Sequence, residues 1–246
     1  MLTLYIKEIR SFLSSLIGYV AIGVFITLIG IFLWIIPTEA GGANILDNGF
    51  ANIDPLFSIA PWVYLFLIPA ITMRSFSEEK KAGTIELLLT RPITDLQIVM
   101  AKYLAGFTLV VISLLPTLIY YYSVSKLCAG GTHVDTGGMW GSYIGLLFLG
   151  AGFVAIGIFS SAISENQVIA FIIALLLCFF CYIGFDFISQ AGVFAKSAAF
   201  IKGLGINDHY VSMSRGVVDT RDIIYFVSAI AIFNLLTRLV LESRKW

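Results

Sequence analysis

Few residues of this chain could do chemistry. Cys178 and Cys181 form C-F-F-C, but their surroundings are apolar and neither His133 nor His209 lies near them. Packing cysteines are therefore favoured over a metal or redox pair, and Cys128 has no obvious partner. Gly130-Gly131-Thr132 lacks the lysine of a phosphate-cradling loop, and no G-x-x-x-x-G-K-[ST] occurs, so ATP hydrolysis would need another chain. Ser160-Ser161 has no G-x-S-x-G setting. The expectation is no catalytic residue, no metal and no cofactor held by this chain. What remains is RSFSEEKKAGTIELLLTRPIT, Arg74 to Thr94, whose Glu78-Glu79-Lys80-Lys81 run puts both signs on about one helical turn. Such a run suits docking into a polar cleft of a partner, where charge sets register and specificity. It also suits a solvated loop whose charges only fix topology.

The elements that would position this stretch are set by composition. With 59% hydrophobic and 12% charged residues, the chain lies outside the range of soluble domains. Apolar runs of spanning length recur: Leu16 to Ile36, Phe57 to Met73, Tyr103 to Val124, Trp140 to Ile163, Val168 to Phe185 and Ile223 to Leu241. The expected fold is all-α and polytopic, with six transmembrane helices in a single domain over residues 1–246. The second run is short and carries Pro61 and Pro69, which predicts a kinked or broken helix. No cleavable signal peptide is expected, because the first run is long enough to stay as an anchor.

Lys and Arg set the orientation. Lys7, Arg10, Arg74, Lys80, Lys81, Arg91, Lys102, Arg238, Arg244 and Lys245 fall on one side when both termini are cytoplasmic, while Thr38 to Leu56 holds only acids. Arg74 to Thr94 then faces the cytoplasm. Before the first span, Leu2, Tyr5, Ile9, Phe12, Leu13 and Leu16 recur at helical spacing, with Lys7, Glu8 and Arg10 on the other side. That pattern predicts an interfacial amphipathic helix over residues 1–15, or a cytoplasmic extension of the first span.

Local signals divide the polar stretch. Ser75 with Glu78 reads as a capping box starting a helix near Phe76, and Gly83 as its stop. Thr84 can restart a helix through Ile85, Leu87, Leu88 and Leu89 that Pro92 ends. Thr94 with Gln97 reads as a second capping box opening the third span. Elsewhere, Gly141 and Gly145 give a G-x-x-x-G face for helix packing, within the subunit or across a dimer. The long loop over residues 188–222 carries Val193, Phe194, Ala198, Phe200, Ile201 and Leu204, apolar enough to dip into the interface as a gate, a docking surface or simple packing, and Asp219 or Thr220 should cap the last span, with Asp222 at its positive end.

EEKKAGTIELLLTRPIT resembles the acidic-x-x-x-Gly-Thr-x-Glu-x-Leu-x-x-x-Pro pattern between spans two and three of ABC-2 type transporter permeases. SSAISENQVIAFIIA resembles the inner turn and fifth span of that class. More narrowly, the stretches from Asn44 to Ile93 and from Ser214 to Phe226 resemble the GldF-like permease subunits associated with bacterial gliding motility. The resemblance implies a multi-pass inner-membrane permease paired with a cytoplasmic ABC ATPase subunit that binds ATP and Mg. It works as a homodimer or with a second membrane subunit, and binds no nucleic acid. It further implies a coupling segment over residues 74–94, with Glu78, Glu79, Lys80, Lys81, Gly83, Thr84 and Glu86 as candidate ATPase contacts, and short outer helices in the loop over residues 188–222.

Two functions stay open on the sequence. One is an ATP-driven permease, an exporter associated with gliding. The other is a non-transporting component that anchors or remodels a gliding or secretion machine. Almost no ionisable residue lies inside the spans, which argues against ion-coupled transport.

Overall fold

The computed structural model describes residues 1–40, 44–47, 53–86, 93–128, 135–190 and 198–243, and among these there is no strand. The helices are α1 (Leu2–Leu13), α2 (Leu16–Trp34), α3 (Asp54–Thr72), α4 (Arg74–Lys81), α5 (Asp95–Leu114), α6 (Leu118–Leu127), α7 (Thr136–Ile163), α8 (Gln167–Phe179), α9 (Phe185–Gln190), α10 (Ala198–Lys202), α11 (Ile206–Met213) and α12 (Thr220–Glu242). Among the described residues, five spans are long and apolar enough to cross a bilayer: Asp54–Lys81, Asp95–Leu127, Thr136–Ile163, Gln167–Gln190 and Thr220–Glu242. A sixth follows if α1 and α2, bent by 66°, make one span. The chain is an all-α polytopic membrane protein.

The glycine-rich α7 is the axle of the bundle, touching α3, α5, α8 and α12. Its small residues let neighbours approach closely. A Cβ at Gly157 would sit 2.1 Å from the Thr72 hydroxyl of α3. At the other end of α7, a Cβ at Gly141 would lie 2.3 Å from the Gly216 carbonyl oxygen, and one at Gly145 would lie 2.6 Å from Cβ of Met213. The G-x-x-x-G face thus receives the turn between α11 and α12 of the same chain.

Span two corrects the sequence expectation at both ends. It is not broken at its prolines: α3 runs through Pro61 and Pro69 and passes directly into α4. Pro61 has no N–H for the Phe57 carbonyl four residues earlier, and the Tyr210 hydroxyl donates to that carbonyl at 2.7 Å instead. The capping box at Ser75 does not form. Met73 lies in helical conformation at the α3–α4 junction and its side chain makes no cap. The Phe76 and Ser77 N–H groups that a local cap would serve find the Ser161 hydroxyl of α7 instead. In span three, Pro116 sits in a single 3₁₀ turn, Leu115–Thr117, between α5 and α6.

At the end of the bundle away from α1, α10 and α11 form a cap. His209 stacks on Tyr225 at 3.9 Å, its Nδ1 lies 2.7 Å from the Asp222 carboxylate, and its Nε2 lies 3.0 Å from the Gly203 carbonyl. Asp222, expected as a helix-end charge, is buried in this pair. Asp219 caps α12 by accepting from the Arg221 N–H at 3.2 Å.

Candidate functional site

The polar residues of the α1 end converge where α1, α4 and α5 meet. The Thr94 cap forms as expected, with its hydroxyl accepting from the Gln97 N–H and the Gln97 side chain accepting from the Thr94 N–H. It fixes where α5 begins and so brings Lys102, two turns on, against α4. The Lys102 side chain is 1% exposed. A charge removed from water must be paired, and Lys102 is paired twice: its ammonium lies 3.0 Å from Glu8 of α1 and 3.0 Å from Glu79 of α4. It also donates to the Ser75 carbonyl and lies 4.9 Å from the centre of the Phe76 ring.

Lys7 closes the cluster from outside, 3.4 Å from Glu8 and 3.1 Å from Glu79. Burial pulls the Lys7 ammonium down, but the adjacent Glu8 and Glu79 outweigh it and hold its pKa above the usual lysine value. The Tyr5 hydroxyl shares a hydrogen bond with Thr108 of α5 at 2.9 Å, a second tie between α1 and α5. The bundle-facing stripe of α1 therefore carries Leu4, Tyr5, Glu8 and Phe12, and Glu8 is turned inward, where the periodicity placed it on the polar side.

Helix α4 is fastened on its other flank by α7. The Ser161 hydroxyl accepts from the Phe76 and Ser77 N–H groups at 2.9 and 3.1 Å and donates to the Met73 carbonyl at 2.9 Å. The Lys80 ammonium donates to the Ala162 carbonyl. Helix α4 ends where the sequence places its stop. Gly83 has φ +67°, its N–H donates to the Lys80 carbonyl at 3.1 Å, and the Thr84 N–H donates to the Glu79 carbonyl at 3.0 Å. Those two bonds make a Schellman motif, which needs a left-handed residue and so favours glycine.

The seven residues expected to contact an ATPase thus divide. Glu78, Lys81, Gly83, Thr84 and Glu86 are exposed at the tip. Glu79 and Lys80 point inward and hold the tip to the bundle. Leu87, Leu88, Leu89 and Pro92 lie outside the described residues. Sequence reasoning missed Lys102, Glu8 and Ser161 as members of the site. The available signal was Lys102 itself: it directly borders the third apolar run, and a lysine entering the bundle at that edge must find a partner. Cys178, near the end of α8, and Cys181, in the turn that follows it, are free thiols, and among the described residues no three His, Cys, Asp or Glu side chains come together to hold a metal.

Nothing in this arrangement activates a nucleophile. What it can do is mechanical: a rigid, charged tip is clamped to three helices at once, so a force on it moves them together. Compared with known families, residues 2–245 match the one described as ABC-2 family transporter protein. No curated protein matches the chain.

Proposed function

The chain belongs to the ABC-2 family of transporter proteins, and from that premise we propose that it is the permease subunit driven by a separate cytoplasmic ABC ATPase docking on the Gly83 tip. The observation that carries this is the tip itself, exposed at Glu78, Lys81, Gly83, Thr84 and Glu86 and anchored behind by Glu79, Lys80 and Ser161. A partner pressing on a free loop would move only the loop. Pressing on this tip displaces α4, and with it α3, α5 and α1.

The reading places the tip and both termini in the cytoplasm and the chain in the bacterial inner membrane, in keeping with ten of the fifteen Lys and Arg residues falling on that side. ATP and Mg belong to the partner. On this reading the permease pairs with a second copy or a second membrane subunit and is an exporter associated with gliding motility, for which the support is the resemblance of Asn44 to Ile93 and Ser214 to Phe226.

The test is affinity purification of the tagged protein from cross-linked membranes, with an ATPase assay on the eluate. A nucleotide-hydrolysing subunit should come with it. Its recovery should fall with added salt and with Glu78→Lys plus Glu86→Lys, since exposed charge pairs are screened. A chain that purifies alone from intact membranes refutes the reading.

A further inference from the structure

A second polar feature lies beside the ion cluster and is not used by it. A cleft of about 150 Å³ opens between α1, the α3–α4 junction and α5. Its floor is apolar, formed by Phe12, Ile71 and Leu109, and its rim carries Ser11, Arg74 and Glu78, with the Glu8 and Lys102 heads at one side. Glu8 and Lys102 are already paired with each other. Arg74 and Glu78 are not: among the described residues neither has an ion pair, and Nε of Arg74 is buried without an acceptor. Nor do they pair with each other, although they stand four residues apart on one helix face. The order here is cation before anion, which opposes the helix dipole and is the weaker arrangement of such pairs.

We propose that this cleft binds the headgroup of a zwitterionic, amine-bearing phospholipid. Arg74 follows directly on the apolar span of α3, at the depth where hydrocarbon gives way to headgroups, and the amphipathic α1 lies alongside. A guanidinium takes a phosphate by parallel charge-assisted hydrogen bonds. Glu78, one turn or ~5.4 Å further along the axis, takes the ammonium across the short linker that separates the two charges of such a headgroup. The Ser11 hydroxyl offers a further donor to the phosphate, and the acyl chains leave over Phe12, Ile71 and Leu109. An anionic lipid without an amine would leave Glu78 unpaired beside its phosphate. A simple cation would leave Arg74 unpaired. Only a ligand with both charges satisfies the rim, and the membrane supplies it at this depth. The inference needs no ATPase; it shares Glu78 with the docking tip of the proposed function, and its test therefore reads lipid retention by the chain alone.

The experiment is native mass spectrometry of the full chain in detergent, titrated with short-chain phosphatidylethanolamine, phosphatidylcholine and phosphatidylglycerol of equal chain length. Phosphatidylethanolamine should be retained about tenfold better than the other two, the discrimination expected from one charge-assisted hydrogen bond. Arg74→Gln should abolish retention of all three lipids, and Glu78→Gln should remove only the preference for the amine. Ser11→Trp, at an exposed position of α1, should fill the cleft and exclude lipid with Arg74 intact, so the outcome does not hinge on how well Arg74→Gln folds. Equal retention of the three lipids by the unaltered chain overturns the proposal, as does retention that survives both Arg74→Gln and Ser11→Trp. Free phosphoethanolamine is the last arm: displacement of the lipid at equal concentration would show a soluble phosphate ester to be the ligand and overturn the lipid assignment.

Discussion

Replacing Lys102 by methionine should loosen α1 and α4 from the bundle without filling or emptying the space between them, because the two side chains have similar length and apolar stems. The ammonium it removes sits 3.0 Å from each of two carboxylates and is 1% exposed. Breaking a buried ion pair by removing one partner costs about 3–5 kcal/mol, since the other charge is left behind. Here Glu8 and Glu79 keep 19% and 14% of their side-chain surface and retain Lys7, which favours the low end, ~3 kcal/mol. For a chain of this size ~1 kcal/mol moves the midpoint by about 2–4 °C, so melting of the detergent-solubilised protein should fall by ~6–12 °C. Adding Glu79→Gln should recover part of that loss, because it removes one stranded charge. A local readout separates loosening from general damage: cysteines replacing Tyr5 and Thr108, whose native hydroxyls meet at 2.9 Å across the length of the tyrosine ring, should be joined readily in the parent by a bifunctional thiol reagent long enough to span that ring, and poorly with Lys102→Met. A Lys102→Met protein that melts within ~2 °C of the parent and cross-links as well would show that the ion cluster holds nothing.

Three further outcomes follow from single contacts. Gly83→Val should cost ~1–3 kcal/mol in backbone strain at φ +67° and lose ATPase stimulation in a reconstituted complex, while Gly83→Asn keeps most of it, because asparagine tolerates the left-handed region; space is not the issue, since no atom lies within 4 Å of a Cβ built there. Tyr210→Phe should destabilise by ~1–3 kcal/mol through the orphaned Phe57 carbonyl, and Pro61→Ala in the same protein should restore much of the loss by returning an N–H to that carbonyl, a cycle read by thermal melting. Gly145→Leu should lower the yield of folded protein on size exclusion, because its Cβ already meets Met213 at 2.6 Å, whereas Gly23→Leu, with nothing within 4 Å, should not.

Elements governed by local rules were legible from the chain alone. Apolar runs gave the spans because hydrocarbon demands them, the Thr94–Gln97 box gave the start of α5, and Gly83 gave the stop of α4 because the Schellman turn needs its backbone freedom. Elements governed by partners distant in sequence were misread. Ser75 and Glu78 have the right spacing for a cap, but α3 reaches them first. Pro61 was read as a kink or a break, and the break does not occur because Tyr210, 149 positions away, satisfies the freed carbonyl; Glu8 was read as solvent-facing because its partner, Lys102, lies on another helix. Of the expected contact residues, spacing could place Glu78 to Lys81 on one turn and Gly83 at its stop, with Thr84 and Glu86 beyond it. It could not show that Glu79 and Lys80 face inward, since that depends on where Lys102 and the Ala162 carbonyl lie.

The same contacts define a mechanical line through the bundle. Asp54–Lys81 is one helical span of 28 residues, about 42 Å at 1.5 Å per residue, so a push at the Gly83 tip is carried along a rod that crosses the membrane. At its near end the rod is fastened to α7 by Ser161 and to α1 and α5 through Glu79. At its far end it meets the cap through the Tyr210 bond to the Phe57 carbonyl, the group that Pro61 leaves free. The proline thus does at the far end what the charges do at the near end: it supplies an unsatisfied group that a distant element must come to satisfy. On the proposed reading, ATPase closure against the tip moves α3 and α4 together with α7, to which the Ser161 bonds and the close Thr72–Gly157 crossing, with no room for a Cβ, hold them. The displacement then passes along α3 and through the Tyr210 bond to the cap of α10 and α11 in step with the nucleotide cycle.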